Sequence, residues 1–312
     1  MTIITRTRPP VQNPTRPSPP PPRMTRSHFE DKFFAVARWV VIGALLIATI
    51  FPFYYMALLS VRGLGDVLRH PGSLWVGISG LSLDAYRRVL SPVSSGGEGF
   101  LGFMRNSAIL AVGTVALTLA VSIPGSYAVS RLRFFGRRHI SALFLAVYLF
   151  PSILLAVPLF VFFTRVGLRG SIFAVLLVYV SQTLAVSIYM LRNYFDTIPV
   201  SLEEAAALDG CSRLGIIRRI SLPLAMPAII SNALFVFMVA WNEFLFALLF
   251  LVDNRARWTV SLGLSELTGN SIEIPTTVLM AASVITTIPI IVIFFASERL
   301  LTEGLTGGAE KG

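Results

Sequence analysis

Six long apolar runs, a low charged fraction and arginines crowded into short connections predict an all-α integral membrane protein with six transmembrane helices. Hydrophobic residues make up 54% of the 312-residue chain and charged residues only 13%, against about 25% charged in a soluble domain. Each run approaches or exceeds the roughly 20 residues a helix needs to cross a hydrocarbon core. The formal net charge of +10 would suggest nucleic acid in a soluble protein. Here the basic residues are divided among loops on both sides of the apolar runs, and nothing resembles an RNA- or DNA-reading module.

Residues 1–29 form a separate zone rich in arginine and proline, Pro19 to Pro22 being consecutive, with no acid before Glu30. That composition predicts a disordered, polyproline-like cytoplasmic tail rather than a secretory signal; Met24 is an alternative start. Residues 30–312 form the transmembrane domain, with a core at about 101–298. The spans are expected at about Phe34–Ser60, Ser107–Ser130, Ile140–Thr164, Ser171–Leu191, Pro223–Leu251 and Thr276–Phe295. Internal prolines such as Pro52, Pro124, Pro151 and Pro289 suit a membrane bundle, where neighbouring helices satisfy freed carbonyls. In the outer loop, about 61–104, a short helix is predicted near Leu83–Leu90 and a turn at Ser94–Gly97. Arg131, Arg133, Arg137 and Arg138 crowd one short loop, and Arg192, Arg213, Arg218 and Arg219 another. By the positive-inside rule both loops, and with six spans both termini, face the cytoplasm.

The loop at 199–222 carries the most specific pattern. Ser201 and Glu204 have the S-x-x-E spacing of a capping box, predicting a short helix after Pro199, and Gly210 is placed to end it in a left-handed turn. Ala205, Ala206 and Ala207 leave little side chain on part of its surface, so the helix reads as a docking knob outside the bilayer. Glu204-Ala205-Ala206, Asp209-Gly210, nine further residues and Ile220-Ser221-Leu222-Pro223 resemble the EAA loop of binding-protein-dependent ABC importers, the permease segment that engages the ATPase subunit. Cys211 and Ile217 depart from the usual small and aromatic residues. Leu83 to Arg88, Asn106-Ser107, Tyr127 to Phe134, Leu191 to Phe195 and Gly304-Leu305-Thr306 further resemble carbohydrate permeases, especially the second, maltose-type permease of the pair.

This resemblance implies a type I ABC importer permease fold and passage of a sugar, a di- or oligosaccharide, across the cytoplasmic membrane. ATPase coupling would then rest on Glu204, Ala205, Ala206, Asp209 and Gly210. The implied partners are a second permease, two ATPase subunits, an extracytoplasmic sugar-binding protein and the lipid bilayer. ATP and Mg would belong to the ATPase, because this chain has no G-x-x-x-x-G-K-[ST] loop; no cofactor, catalytic residue or nucleic acid is expected on it.

Polar residues within the apolar runs are costly unless paired or wetted, which makes Asn242 and Glu243 candidates for the translocation pathway, with Trp241 beside them as a ring of the kind that holds sugars, and Asn232, Gln182 and Tyr189 as further candidates. A helix-to-helix hydrogen bond is an equally good account of Asn242, and packing is the default account of Trp241. One cysteine, Cys211, and three histidines outside the span interiors provide neither a disulfide nor a metal-ligand spacing. Two alternatives stay open: an ABC permease for glycerol phosphate, an amino acid or a polyamine, and an ion-coupled secondary transporter using Glu243.

Overall fold

The computed structural model describes residues 26–269 and 274–309. Residues 1–25 of the expected tail, and the terminal Lys311-Gly312, lie outside the described residues. Every named element among those described is helical. By its contacts the chain divides into two units, residues 1–54 and 55–312.

The first unit is most of helix α1 (Arg26–Ser60). Phe34, Trp39 and Ile47 are all exposed on it, so the helix is apolar around its circumference, the pattern of a membrane span.

In the second unit follow α2 (Leu64–Arg69), α3 (Asp84–Leu90), α4 (Phe100–Arg131), α5 (Arg137–Leu149), α6 (Ile153–Arg165), α7 (Ile172–Thr197), α8 (Val200–Leu208) and α9 (Arg213–Ile216). A π-turn (Ile217–Ser221) leads into α10 (Leu222–Asn242), then α11 (Leu245–Leu251), α12 (Val260–Gly269) and α13 (Thr276–Ala309). Among the described residues five helical stretches are long and apolar enough to cross a membrane, namely Lys32–Ser60 in α1, the whole of α4 and of α7, Arg213–Asn242 from α9 through α10, and Thr276–Glu298 opening α13, and α6 is a shorter apolar helix. The predicted short helix and turn of the outer loop are present as α3 and the Val93–Gly96 turn.

Two expected spans are interrupted. The run from Ile140 to Thr164 is not one helix but α5 and α6, because Phe150 is held extended with ψ 124° ahead of Pro151. A residue before proline is driven out of the α region by the ring. The run from Pro223 to Leu251 likewise breaks at Glu243, which is extended with ψ 128°.

Helix α4 lies along α7, and α10 packs on both and on α13. Of the apolar windows, α7's is the most enclosed, 44% buried against 17% for α13, so α7 is the bundle's central helix. Ala111, Ala174, Ala281 and Ala282 are fully buried, the small side chains that let membrane helices approach. The Thr118 and Thr183 hydroxyls join α4 to α7 at 2.9 Å. Gly263 lies so close to Phe103 that a Cβ would sit 2.4 Å from its ring.

The segment after α1 is organised by one buried cation. Arg62 donates to the Asp66 carboxylate at 2.7 Å and to the carbonyls of Ser73 and His70 at 3.1 and 2.9 Å. Asn106 explains part of the Asn106-Ser107 pattern: its amide donates to the carbonyls of Ala256 and Trp258, both at 2.9 Å, while Ser107 accepts from the Val260 amide. Together they tie the start of α4 to the chain entering α12.

Candidate functional site

The segment between α7 and α10 is shaped by local chemistry. Ile198 precedes Pro199 and is extended, which ends α7. Helix α8 then runs for nine residues, and Gly210 follows it at φ +81°. The Gly210 amide donates to Ala207 O at 3.1 Å and the Cys211 amide to Ala206 O at 3.0 Å. These paired bonds define a Schellman closure, so the predicted left-handed stop is present. Ser212 caps α9 by accepting from the Gly215 amide.

The predicted capping box does not form. Pro199 occupies the N-cap position without a side-chain cap, so Ser201 already lies inside the first turn. Glu204, Ala205, Asp209 and Gly210 are exposed as expected, but Ala206 is buried. Its methyl packs inward because it shares a face, three residues on, with Glu203. Leu208 is 90% exposed, an apolar side chain on a helix lying between two spans. With Ala205, three residues before it, it forms the outer face of the knob, whereas Ala207 lies four residues after Glu203 and lines a cleft beside it.

Glu203, which the motif did not single out, is the hub of the segment. Its Oε1 accepts from Arg131 Nε and Ser221 Oγ, each at 3.0 Å, and its Oε2 accepts from the Tyr127 hydroxyl at 3.0 Å. Arg131 also donates to the Ile198 carbonyl at 2.7 Å, satisfying the end of α7. The side chains of Arg131 and Glu203 are only 9% and 11% exposed. A cleft of about 300 Å³ beside them is lined by Arg131, Glu203, Glu204, Cys211 and Arg213. The available signal was the Glu203-Glu204 pair, since adjacent helix positions point in different directions.

The pathway candidates do not share one site. Glu243 is not an isolated charge within a continuous span: it sits at the α10–α11 break, half-buried, where its carboxylate accepts from the Phe246 and Ala247 amides at 2.8 and 3.1 Å. Asn242 is exposed and donates to Met238 O one turn back in its own helix. Trp241 is buried, stacks on Phe237 with ring centroids 5.4 Å apart, and faces a separate apolar groove with Arg105. Asn232 is fully buried with neither amide atom hydrogen-bonded among the described residues. Tyr189 is exposed on α7.

Gln182 does line a cavity, of about 360 Å³, where both helix breaks converge: Phe150, Pro151 and Ser152 from the first, Phe246 from the start of α11, and Ser181 and Phe235 beside them. Tyr179, one turn from Gln182, is buried within electrostatic reach of Glu243. The lining is mostly apolar, with Ser152, Ser181, Gln182 and Thr183 as its polar side chains, and interrupted helices around a cavity are a recurrent plan for solute sites in membranes.

Fold and site together define a polytopic helical membrane protein whose short helix α8 lies between two spans and is fixed to the bundle through Glu203. The chain belongs to the family of binding-protein-dependent transport system inner membrane components, whose model matches residues 115–306. It is 40% identical over 275 residues to the inner membrane ABC transporter permease protein YcjP of Escherichia coli, covering 87% of this chain and 94% of that one. It is also 40% identical to the trehalose/maltose transport system permease protein MalG of Thermococcus litoralis, covering 88% and 96%. Among solved structures, a bacterial ABC transporter involved in import of the acidic polysaccharide alginate matches with a TM-score of 0.73 at 24% identity, covering 89% of this chain and 99% of that one. The type I importer permease fold is thereby shown.

Proposed function

We propose that this chain is the permease subunit that passes a sugar, a di- or oligosaccharide, across the cytoplasmic membrane using ATP hydrolysed elsewhere. The observation that carries this reading is α8: an exposed apolar knob, closed by Gly210 and bound at its inner face to the membrane bundle through Glu203. The trehalose/maltose and alginate systems among its relatives support a carbohydrate cargo. The complete importer would hold a second permease, two ATPase subunits docked on the α8 knobs and an extracytoplasmic binding protein. ATP and Mg stay on the ATPase, and this chain binds no cofactor of its own. The termini and the loops at 131–138 and 192–222 face the cytoplasm, in keeping with their arginines. Solute passes the cavity at the two helix breaks, with Gln182 offering an amide to its hydroxyls.

Reconstitution tests the reading. Proteoliposomes carrying this chain with its co-purifying subunits and binding protein, loaded with ATP and held without an ion gradient, should accumulate the sugar that the binding protein carries. Uptake that needs a proton gradient at constant ATP would instead establish the ion-coupled reading.

A further inference from the structure

We propose that Glu203 is the residue through which movement of α8 is passed to the membrane spans, a positioning role distinct from docking; this rests on the ATPase-coupling reading above. Three parts of the chain meet at this one carboxylate, and a fourth is held through Arg131. Tyr127 and Arg131 belong to the last turns of α4, Ser221 to the π-turn leading into α10, Glu203 to α8, and Arg131 holds the Ile198 carbonyl at the end of α7. A rigid displacement of α8 therefore pulls on α4 and on α10 together.

Three observations favour transmission over simple stabilisation. First, the pair of Arg131 and Glu203 is nearly buried; a buried ion pair is weak evidence for stability, and in some proteins buried polar groups serve instead to fix the register of one element on another. Second, the two adjacent glutamates divide the work. Glu204 is exposed and has no hydrogen bond or ion pair among the described residues, leaving it free for a partner, whereas Glu203 is engaged by three donors and faces inward. Third, Ser221 reaches Glu203 from a π-turn, a wider turn that occurs in helices mostly at functional positions. Coupling between distant sites requires an element whose arrangement both sites bias, and the carboxylate provides the junction between the knob and two spans.

The test uses the complete transporter, isolated with its co-purifying subunits and assayed in proteoliposomes for solute moved per ATP hydrolysed. Glu203→Ala leaves the outer face of α8 unchanged, so the ATPase subunit should remain bound, while solute moved per ATP falls about tenfold, within the usual span of coupling free energies between sites. The double variant Glu203→Arg with Arg131→Glu should recover part of that loss. Tyr127→Phe and Ser221→Ala each remove one donor but keep the ion pair, and should give smaller losses of the same kind; they serve if Glu203→Ala does not insert. An unchanged ratio in these variants, or loss of the bound ATPase subunit from Glu203→Ala, would overturn the proposal. Wild-type transporter lacking ATP-dependent uptake would fail the coupling reading itself, a result separable from failure of Glu203 alone.

Discussion

Helices α8 and α11 are both short, stand at opposite ends of α10, and each has a glutamate near its start, yet the two carboxylates are used differently. Glu203 accepts only from side chains of other elements, Arg131, Tyr127 and Ser221. Glu243 accepts from the first amides of the helix it precedes, Phe246 and Ala247. One glutamate binds its helix to neighbours and the other completes its own helix. The same side chain thus makes a junction where its hydrogen bonds span elements and a cap where they stay within its own segment.

The largest effect should come from breaking the local cap. Glu243→Leu removes both acceptors and leaves two amides unpaired at the interruption of a membrane helix, at about 1–3 kcal/mol for each buried unpaired group. Glu243→Gln keeps one acceptor oxygen and should lose markedly less. Thermal denaturation of the purified transporter in detergent, with uptake assayed in parallel, compares them. Equal losses for leucine and glutamine would mean that the charge, not the cap, governs this position and would dissolve the contrast with Glu203.

A smaller and more confined effect is expected at Gly210. Nothing lies within 4 Å of a Cβ placed there, so a side chain meets no clash and only the backbone objects. At φ +81° an L-residue costs about 1–2 kcal/mol, and Gly210→Val should loosen the Schellman closure and reduce retention of the ATPase subunit on co-purification. Asparagine tolerates this conformation better, so Gly210→Asn should retain more of it. Insertion of the spans should be unaffected in both. Equal retention by valine, asparagine and glycine would show that the closure does not shape the docking face.

What the sequence revealed follows the range of the forces involved. The end of α8 was legible because glycine at a left-handed position is a property of one residue, and the spans were legible because lipid demands long apolar runs. Glu203 was not, since its three donors come from residues 127, 131 and 221, brought together only by packing. Ser201 misled because its S-x-x-E spacing satisfies a capping box while Pro199 already sets where the helix begins. The break at Glu243 was hidden within an apolar run whose hydropathy continues on both sides. That at Phe150 was readable in principle from Pro151, but prolines at 124, 158, 227 and 289 sit inside unbroken helices, so proline alone does not mark an interruption.

The smallest effect is expected just past the end of α11, where Arg169 and Asp253 form an ion pair at 2.7 Å with both side chains more than half exposed. Its distance is shorter than the 3.0 Å between Arg131 and Glu203, so a ranking by distance alone would put it first. Solvent reverses that order. Exposed pairs contribute about 0–1 kcal/mol because water and salt screen them and two flexible chains must be held still, and the guanidinium's position over Phe160 adds about 0.5–1 kcal/mol at an exposed site. Removing one partner of a nearly buried pair leaves the other charge poorly compensated, at about 3–5 kcal/mol where no other donor helps; Tyr127 and Ser221 soften that for Glu203. Arg169→Ala should therefore shift thermal denaturation only slightly, whereas Arg131→Ala shifts it clearly and lowers solute moved per ATP. Comparable shifts for the two would show that distance, rather than burial and the number of elements joined, sets the worth of a charge pair in this chain.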